Sequence, residues 1–169
     1  MSDSSPLADG CLLIDETGEV ISPGMAAYDF EQLQLVRDAK YRDGTHTATV
    51  NLGIRHVFGQ PFTIAFNFLK SRLASIDLCL HFDDPAKDKP WDYAIEIERK
   101  KAHEAWCRRV LGRPLEPMKG YEHWDKQDEV QRLLEFPWGA IRSIYDSKGG
   151  FSTLRIVYDL PRSSNDKPI

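Results

Sequence analysis

Three consecutive runs of alternating residues between positions 46 and 82 constrain the fold of this chain more than any other feature. Each run places an apolar side chain at every second position, and short turns near residues 59–61 and 70–72 separate the runs. Because successive side chains of a strand point to opposite faces, this period predicts an antiparallel meander with one buried face. The side chains expected in that core are those of Phe62, Ile64, Phe66, Phe68, Ile76, Leu78 and Leu80.

A second β-type unit occupies residues 136–160. Its two alternating runs flank the loop 146–150, whose residues tolerate a positive φ angle, so the segment predicts a β-hairpin. A lone hairpin is only marginally stable in water, and this one therefore needs more strands or a helix beneath it. A smaller hairpin is predicted at residues 11–22.

Helical patterns fill the segments between the strands. Asp29 has the position of a helix N-cap, which predicts a helix of about ten residues. Residues 91–111 carry the pattern of a longer helix that ends at Gly112, with its charged side chains expected on the outer face. A short helix is also predicted over residues 124–134.

Together these elements predict one α+β domain over residues 1–169, with polar and frayed termini. A chain of 169 residues can bury one sizeable core, and no segment has the composition of an interdomain linker. We expect a mainly antiparallel sheet of about five strands, formed by the meander and the C-terminal hairpin, with helices packed on one face.

The net charge of −4 is unevenly distributed along the chain. The first 31 residues contain seven acidic residues and no lysine or arginine, and residues 77–98 contain seven acidic residues and two lysines. This N-terminus lacks the features of a secretory signal, and the apolar stretches are too short to span a bilayer. We therefore expect a cytoplasmic protein without membrane contact, and its three widely spaced cysteines are expected to be free thiols.

The acidic segments are the surfaces expected to contact a partner, because clustered carboxylates steer a basic protein towards them. The candidate partner-binding residues are Asp83, Asp84, Asp88, Asp92 and Glu96. The basic run at residues 99–113 does not predict nucleic-acid binding. The chain as a whole is acidic, with a pI of about 5.7, and no nucleic-acid-binding module accompanies the run.

Two arginines form the other candidate site. Arg142 and Arg155 lie in the two strands of the C-terminal hairpin, on the less buried face, where they could bind a carboxylate or a phosphate. The alternative is that they pair with aspartates such as Asp146 and Asp159 across an exposed sheet. The sequence leaves both alternatives open.

No strong catalytic or metal-binding motif is present. His103 and Cys107 are four residues apart on the predicted long helix, but two ligands do not make a zinc site. Asp77 and His81 lie too far apart along a strand to bond directly. The loop 146–150 lacks the ending and the following helix of a phosphate-binding loop. We therefore expect no metal, no cofactor and no enzymatic activity.

The pattern Phe-Pro-Trp-Gly-x-Ile-x-Ser-x-Tyr-Asp-x-Lys-Gly-Gly-x-Ser at residues 136–152 resembles the closing signature of small uncharacterised bacterial proteins. The segments 59–68 and 111–114 fit the same layout, so the resemblance covers roughly residues 46–158. In size and style these proteins are similar to immunity proteins that neutralise secreted antibacterial toxins. The resemblance implies a cytoplasmic α+β binder without catalysis, and it supplies no catalytic residues.

The leading hypothesis is therefore a non-enzymatic protein-binding domain, namely an immunity-type inhibitor that occludes a basic toxin domain. One alternative is a structural or adaptor protein of a secretion or phage-like system. Another is a small ligand-binding protein or enzyme with a pocket between sheet and helices. A broad acidic or aromatic patch favours a binder, whereas convergent polar groups with shifted pKa values in a concave site favour an enzyme.

Overall fold

The N-terminal part of the chain forms a small hairpin and a short helix. The fold was obtained as a computed structural model, which describes residues 5–36, 40–43, 47–87, 92–121 and 125–159. The first elements are β1 (Leu12–Leu13), β2 (Val20–Ile21) and α1 (Ala27–Glu31), with a 3-10 turn at Gln34–Val36. β1 and β2 pair antiparallel, which confirms the hairpin predicted at residues 11–22.

Two four-stranded meanders lie side by side in the large sheet. The first consists of β3 (Lys40–Asp43), β4 (Thr47–Val57), β5 (Gln60–Leu69) and β6 (Arg72–Leu80). The second consists of β7 (Glu116–Pro117), β8 (Arg132–Phe136), β9 (Gly139–Asp146) and β10 (Phe151–Tyr158). The strand order is β3-β4-β5-β6-β10-β9-β8-β7, and all the neighbouring strands are antiparallel. The last strands of the two meanders, β6 and β10, therefore meet at a central seam.

The helix α2 (Tyr93–Leu111) connects the two meanders and packs on one face of the sheet, against β6, β9 and β10. Asp92 caps its N-terminus by accepting hydrogen bonds from two amides of the first turn, at 3.0 and 3.2 Å. Gly112 ends the helix in the left-handed conformation, at a φ of 72°. The prediction of a long helix closed by Gly112 is thus confirmed, and residue Trp91 lies outside the described ranges.

The core lies between the helices and one face of the sheet. All seven side chains that the alternation assigned to the core are at most 6% exposed, which confirms the meander and its buried face. Phe30 of α1 packs on the rings of Phe66 and Phe68, with centroids 4.8 and 5.1 Å apart. The first helix therefore packs on the same face of the sheet as α2.

The sheet is wider than predicted, with eight strands in the described residues instead of about five. β3 and β7 are short edge strands, and β8 occupies part of the segment predicted as a helix over residues 124–134. The spacing of Val130, Leu133 and Leu134 suits a helix. In the structure, however, Leu133 pairs with Arg142 of β9, and the next residue, Leu134, is buried. A short apolar run fits both the helical and the strand period, and here the pairing with β9 makes it a strand.

The first helix is shorter than predicted. It has five residues, its N-cap is Ala26, and Asp29 lies within its first turn. The carboxylate of Glu19 accepts hydrogen bonds from the amides of Gln34 and Leu35, at 2.6 and 3.0 Å, and thereby stabilises a 3-10 turn where the α-helix was predicted to continue. This contact joins residues far apart in the chain, so the local capping pattern does not reveal it.

Candidate functional site

The pairing of β6 with β10 stops before the end of both strands. Residues 75–78 of β6 pair with residues 154–157 of β10, and the next hydrogen-bonded pair of this register would join Leu80 to Ser152. The backbone groups of these two residues need other partners, because unpaired buried amides and carbonyls are costly. This end of the seam is therefore the place where another element can insert.

Three polar side chains of α2 insert there. The amide of Ser152 donates to Glu96 Oε2 at 2.7 Å, and the amide of Leu80 donates to His103 Nε2 at 3.0 Å. The guanidinium of Arg99 donates to the Leu80 carbonyl, and its Nε lies 3.3 Å from Glu96 Oε1. We refer to Glu96, Arg99 and His103 as the polar wedge, because they satisfy backbone groups that strand pairing leaves open.

His103 is neutral in this position. Because an amide donates to its Nε2, the proton of the neutral ring is on Nδ1. Burial, and after it the nearby cations Arg99 and Lys100, lower the pKa of His103 from 6.5 to about 3. Within the described residues, Nδ1 of His103 and the indole Nε1 of Trp106 are buried without a hydrogen-bond partner.

A second, half-buried set of charges surrounds Glu104 of α2. Lys100 donates to Glu104 Oε1, and the hydroxyl of Ser143 on β9 donates to the same oxygen at 3.1 Å. Nε of Arg132, on β8, lies 3.5 Å from Glu104 Oε2. These contacts attach the middle of α2 to the second meander.

The prediction that the charged side chains of α2 lie on its outer face is wrong for the side chains that face the sheet. Arg99, Lys100 and His103 are 5%, 1% and 0% exposed. Glu96 is 4% exposed, so the prediction that it belongs to an acidic contact surface is wrong. Burial of the two cations is tolerated because Glu96 lies three residues from Arg99 and pairs with it. Glu104 likewise lies four residues from Lys100 and pairs with it. That spacing was the signal in the sequence.

The polar wedge contains convergent polar groups and a strongly shifted pKa, two features expected of a catalytic site. Its side chains are enclosed between helix and sheet, however, and the conformation leaves them no open cleft. What this arrangement does chemically is satisfy two strand ends and hold α2 on the seam.

The other candidate partner-binding residues lie before and at the start of α2. Asp83 and Asp84 follow β6 and are exposed, and Asp84 accepts a hydrogen bond from the amide of Ala86 at 2.9 Å. Asp92 is exposed and caps α2. Asp88 lies outside the described residues. The structure therefore places three of the five predicted residues on the surface.

Several acidic residues of the first 31 positions have structural roles. Asp15 accepts hydrogen bonds from the amides of Phe58 and Gly59, at 3.1 and 2.7 Å. Glu16 accepts from the amide of His56 at 2.8 Å and contacts its Nδ1 at the same distance. These carboxylates attach the N-terminal hairpin to the end of β4 and to the turn that follows it. The acidity of this segment thus has a partial explanation within the fold.

The two candidate arginines are neighbours on the face of the sheet opposite α2. Arg155 lies directly across from Arg142 on one side and from Asp77 on the other. It donates to both carboxylate oxygens of Asp77, at 2.5 and 3.3 Å, so the pairing alternative holds for Arg155, with Asp77 in place of Asp146 or Asp159. Arg142 is exposed and has no hydrogen-bond partner within the described ranges. It stays a candidate anion-binding residue.

A groove of about 400 Å³ lies between the end of β6 and α2. His81, Asp83 and Arg109 provide charged or polar lining, and Phe82 and Trp106 provide aromatic lining. The groove corresponds to the pocket between sheet and helices that the ligand-binding alternative requires.

A hollow of about 290 Å³ lies near the N-terminal end of α2. We call it the tyrosine hollow, and it is lined by Met118, Tyr121, Glu129, Val130, Gln131, Tyr145 and Ser147. At its rim the ring of Tyr93 packs edge-on against Tyr145, with centroids 5.7 Å apart, and its hydroxyl donates to Glu129 Oε1 at 2.8 Å. Sequence reasoning missed this site, because Tyr93, Glu129 and Tyr145 meet only when α2 lies over β9.

Two residue pairs were weak candidates for a site in the sequence, namely His103 with Cys107 and Asp77 with His81. Neither pair forms a common site. His103 and Cys107 are both buried, and burial raises the pKa of the Cys107 thiol well above its usual range. The ring of His81 contacts the hydroxyl of Thr63 at 2.6 Å, whereas Asp77 pairs with Arg155. In the part of the chain that the structure describes, no group of three or more potential ligands could hold a metal ion.

The comparisons with known proteins give no relatives: no family model, curated protein or solved structure matches the chain. Neither of the described helices combines the length and the apolar character that a membrane span requires. The geometry defines an α+β protein whose antiparallel sheet carries helices on one face. Its function has to be inferred from its own surfaces.

Proposed function

We propose that this chain is a protein-binding domain that acts without catalysis, and that the tyrosine hollow with its rim is the contact surface. The observation that supports this proposal is a set of exposed tyrosines around a carboxylate. Tyr93 and Tyr121 are 52% and 39% exposed, and Glu129 lies with them. Tyrosine is enriched at protein interfaces because its ring supplies apolar area and its hydroxyl a hydrogen bond.

Within this class we propose an immunity-type inhibitor that occludes a basic toxin domain. The resemblance carried by residues 136–152 supports this narrower proposal, and so does the surface charge. Asp83, Asp84 and Asp92 are exposed and form no ion pair within the described residues. Carboxylates of this kind accelerate association with a basic partner and disfavour acidic ones.

The contact surface is tested with the product of the reading frame adjacent to the gene of this chain, because toxin and inhibitor genes are expected side by side. Binding is measured by biolayer interferometry with the wild-type chain and two variants. Tyr93→Ala should weaken binding at least about tenfold, as expected for an exposed aromatic anchor. The control Tyr28→Ala removes a tyrosine that is 73% exposed on α1, and it should leave binding unchanged.

Equal affinities of the two tyrosine variants would exclude the tyrosine hollow as the contact surface. Absence of a complex, together with turnover of a small molecule by the purified chain, would favour an enzyme.

The groove beside β6 supports one second candidate function, that of a small-molecule-binding protein. Its volume of about 400 Å³ lies within the usual range of ligand pockets, roughly 300–1,000 Å³. An amphipathic ligand could place an anionic group at Arg109 and an apolar part against Phe82. A bound small molecule whose affinity falls in Arg109→Gln, with no protein partner found, would favour this candidate.

A further inference from the structure

We propose that the tyrosine hollow receives an arginine side chain of the protein partner. This inference rests on the proposed function and adds the chemical group that is recognised. The volume of about 290 Å³ lies at the lower limit of small-molecule pockets, roughly 300–1,000 Å³, and suits a single side chain. Its lining combines a carboxylate, other hydrogen-bond acceptors and aromatic rings, which together match a guanidinium group.

Glu129 supplies the negative charge. Its Oε1 accepts hydrogen bonds from the Tyr93 hydroxyl at 2.8 Å and from Lys126 at 3.1 Å. These two contacts lower the pKa of Glu129, so the carboxylate is ionised at neutral pH. Its Oε2 accepts no hydrogen bond from the described residues, and Glu129 is part of the lining of the hollow. The side chain is 18% exposed, which strengthens an ion pair relative to one in open solvent.

The tyrosines supply surfaces for the planar group. Tyr121 and Tyr145 both line the hollow, and the edge-on contact with Tyr93 limits the movement of the Tyr145 ring. A guanidinium stacks on such a ring through cation–π attraction while its N–H groups still reach acceptors in its plane. The methylene stem of arginine finds an apolar wall at Met118 and Val130.

Lys126 occupies one side of the carboxylate and distinguishes arginine from lysine as the guest. Its ammonium group bonds Oε1, and its side chain is 67% exposed, so this pair contributes little and can separate. A second compact ammonium would repeat that single contact. A guanidinium can donate to Oε2 and, with its remaining N–H groups, to the side chains of Gln131 and Ser147.

The experiment titrates N-acetyl-arginine amide into the full chain and follows the backbone amide signals of Gln131 and Ser147 by NMR. N-acetyl-citrulline amide is the neutral control of the same shape, and N-acetyl-lysine amide tests the ammonium group. We expect saturable shifts with the arginine probe and none with citrulline. Glu129→Gln should weaken binding of the arginine probe at least about tenfold, since it removes the charge with little change of shape.

Asp128→Asn is the matched control variant. It removes the same charge one residue away, outside the lining of the hollow, where Asp128 pairs with Lys101 at 2.8 Å. We expect it to change the affinity for the arginine probe by less than about twofold, because exposed charges are screened. Lys126→Gln should strengthen binding, because it removes the competing cation.

Four results would overturn the inference: no binding of the arginine probe, equal binding of arginine and citrulline, binding of lysine as tight as that of arginine, or equal effects of the two carboxylate variants. The proposed function is judged separately by the partner experiment with Tyr93→Ala. If Tyr93→Ala weakens partner binding and the arginine probe does not bind, the arginine assignment fails while the proposed contact surface stands.

Discussion

His103 Nε2 accepts a hydrogen bond from the amide of Leu80 at 3.0 Å, so a helix side chain occupies a place that a neighbouring strand would otherwise fill. Arg99, one turn earlier on the same helix, binds the carbonyl of the same residue. Satisfaction of the strand end and attachment of α2 therefore depend on the same contacts. A change that breaks one of them leaves a buried backbone group without a partner, which costs more than the loss of an ordinary surface bond.

The first prediction concerns pH. An unfolded chain binds a proton at His103 below pH 6.5, whereas the folded chain does so only near pH 3. The contribution of His103 to stability is therefore lost as the pH falls from 6.5 towards 3. Between pH 7 and pH 5 the free energy of unfolding should decrease by about 2 kcal/mol from this group alone. Urea denaturation at both pH values measures the decrease.

His103→Gln provides the comparison, because its amide oxygen can still accept a hydrogen bond but does not titrate. The variant should lack this part of the pH dependence, whatever its stability at pH 7. NMR of the wild-type imidazole offers a second test that needs no variant. A His103 ring that takes up a proton near pH 6 in the folded protein would contradict the assignment.

The second prediction concerns Glu96. Glu96→Ala removes the acceptor of the Ser152 amide and leaves Arg99 buried without its counter-charge, so the free energy of unfolding should decrease by about 3–5 kcal/mol. The control is Glu98→Ala, which removes a carboxylate two residues away that is 49% exposed and pairs with Lys87. The control should lower the free energy of unfolding only slightly. Similar losses in the two variants would show that the polar wedge does not stabilise the docked helix.

The third prediction concerns the buried face of the meander. Phe66 is fully buried and packs on Phe30, so Phe66→Ala should lower the free energy of unfolding by about 3–5 kcal/mol. Phe151→Ala deletes a ring that is 45% exposed on β10 and should cost about 1 kcal/mol or less. Denaturant unfolding of both variants gives the comparison, and equal losses would count against the core assignment.

The elements predicted from the sequence are those in which local pattern and tertiary structure agree. In the meander and the C-terminal hairpin, strict alternation has one solution, since a slip by one residue would expose every buried side chain. The helix α2 has a capping residue at one end and Gly112 at the other, and both act locally. The sequence therefore contained the information for these elements.

The missed features depend on contacts between distant residues. β8 is a strand because β9 lies beside it, and α1 ends early because Glu19 binds the amides of Gln34 and Leu35. The polar wedge escaped prediction because charged side chains on a helix usually face solvent, and only the gap in the seam makes their burial favourable. The tyrosine hollow depends on the packing of α2 against β9, which no local pattern specifies.

The fourth prediction concerns Gly139, at the turn between β8 and β9. Its φ of +145° suits glycine, and a Cβ atom there would overlap the carbonyl oxygen of Val157. Gly53 has a φ of +68°, but nothing lies within 4 Å of its added Cβ, so Gly53→Ala should cost only about 1–2 kcal/mol of backbone strain. Gly139→Ala should lower the free energy of unfolding by at least about 2 kcal/mol more than Gly53→Ala does. Comparable unfolding midpoints of the two variants would disprove this close approach.

The last prediction concerns the acidic residues that stayed on the surface. Asp83 and Asp84 are exposed, follow β6 in an irregular segment and pair with no cation in the described residues, so their replacement by asparagine carries little risk to the core. If they steer a basic partner, the variant carrying Asp83→Asn and Asp84→Asn should associate several-fold more slowly, with a nearly unchanged dissociation rate. Added salt should slow association of the wild-type chain and have less effect on the variant, because the charges that it screens have been removed. Stopped-flow or interferometry at two salt concentrations measures both rates with the partner used for the Tyr93→Ala test. An association rate that is indifferent both to the double change and to salt would show that these carboxylates play no part in recognition.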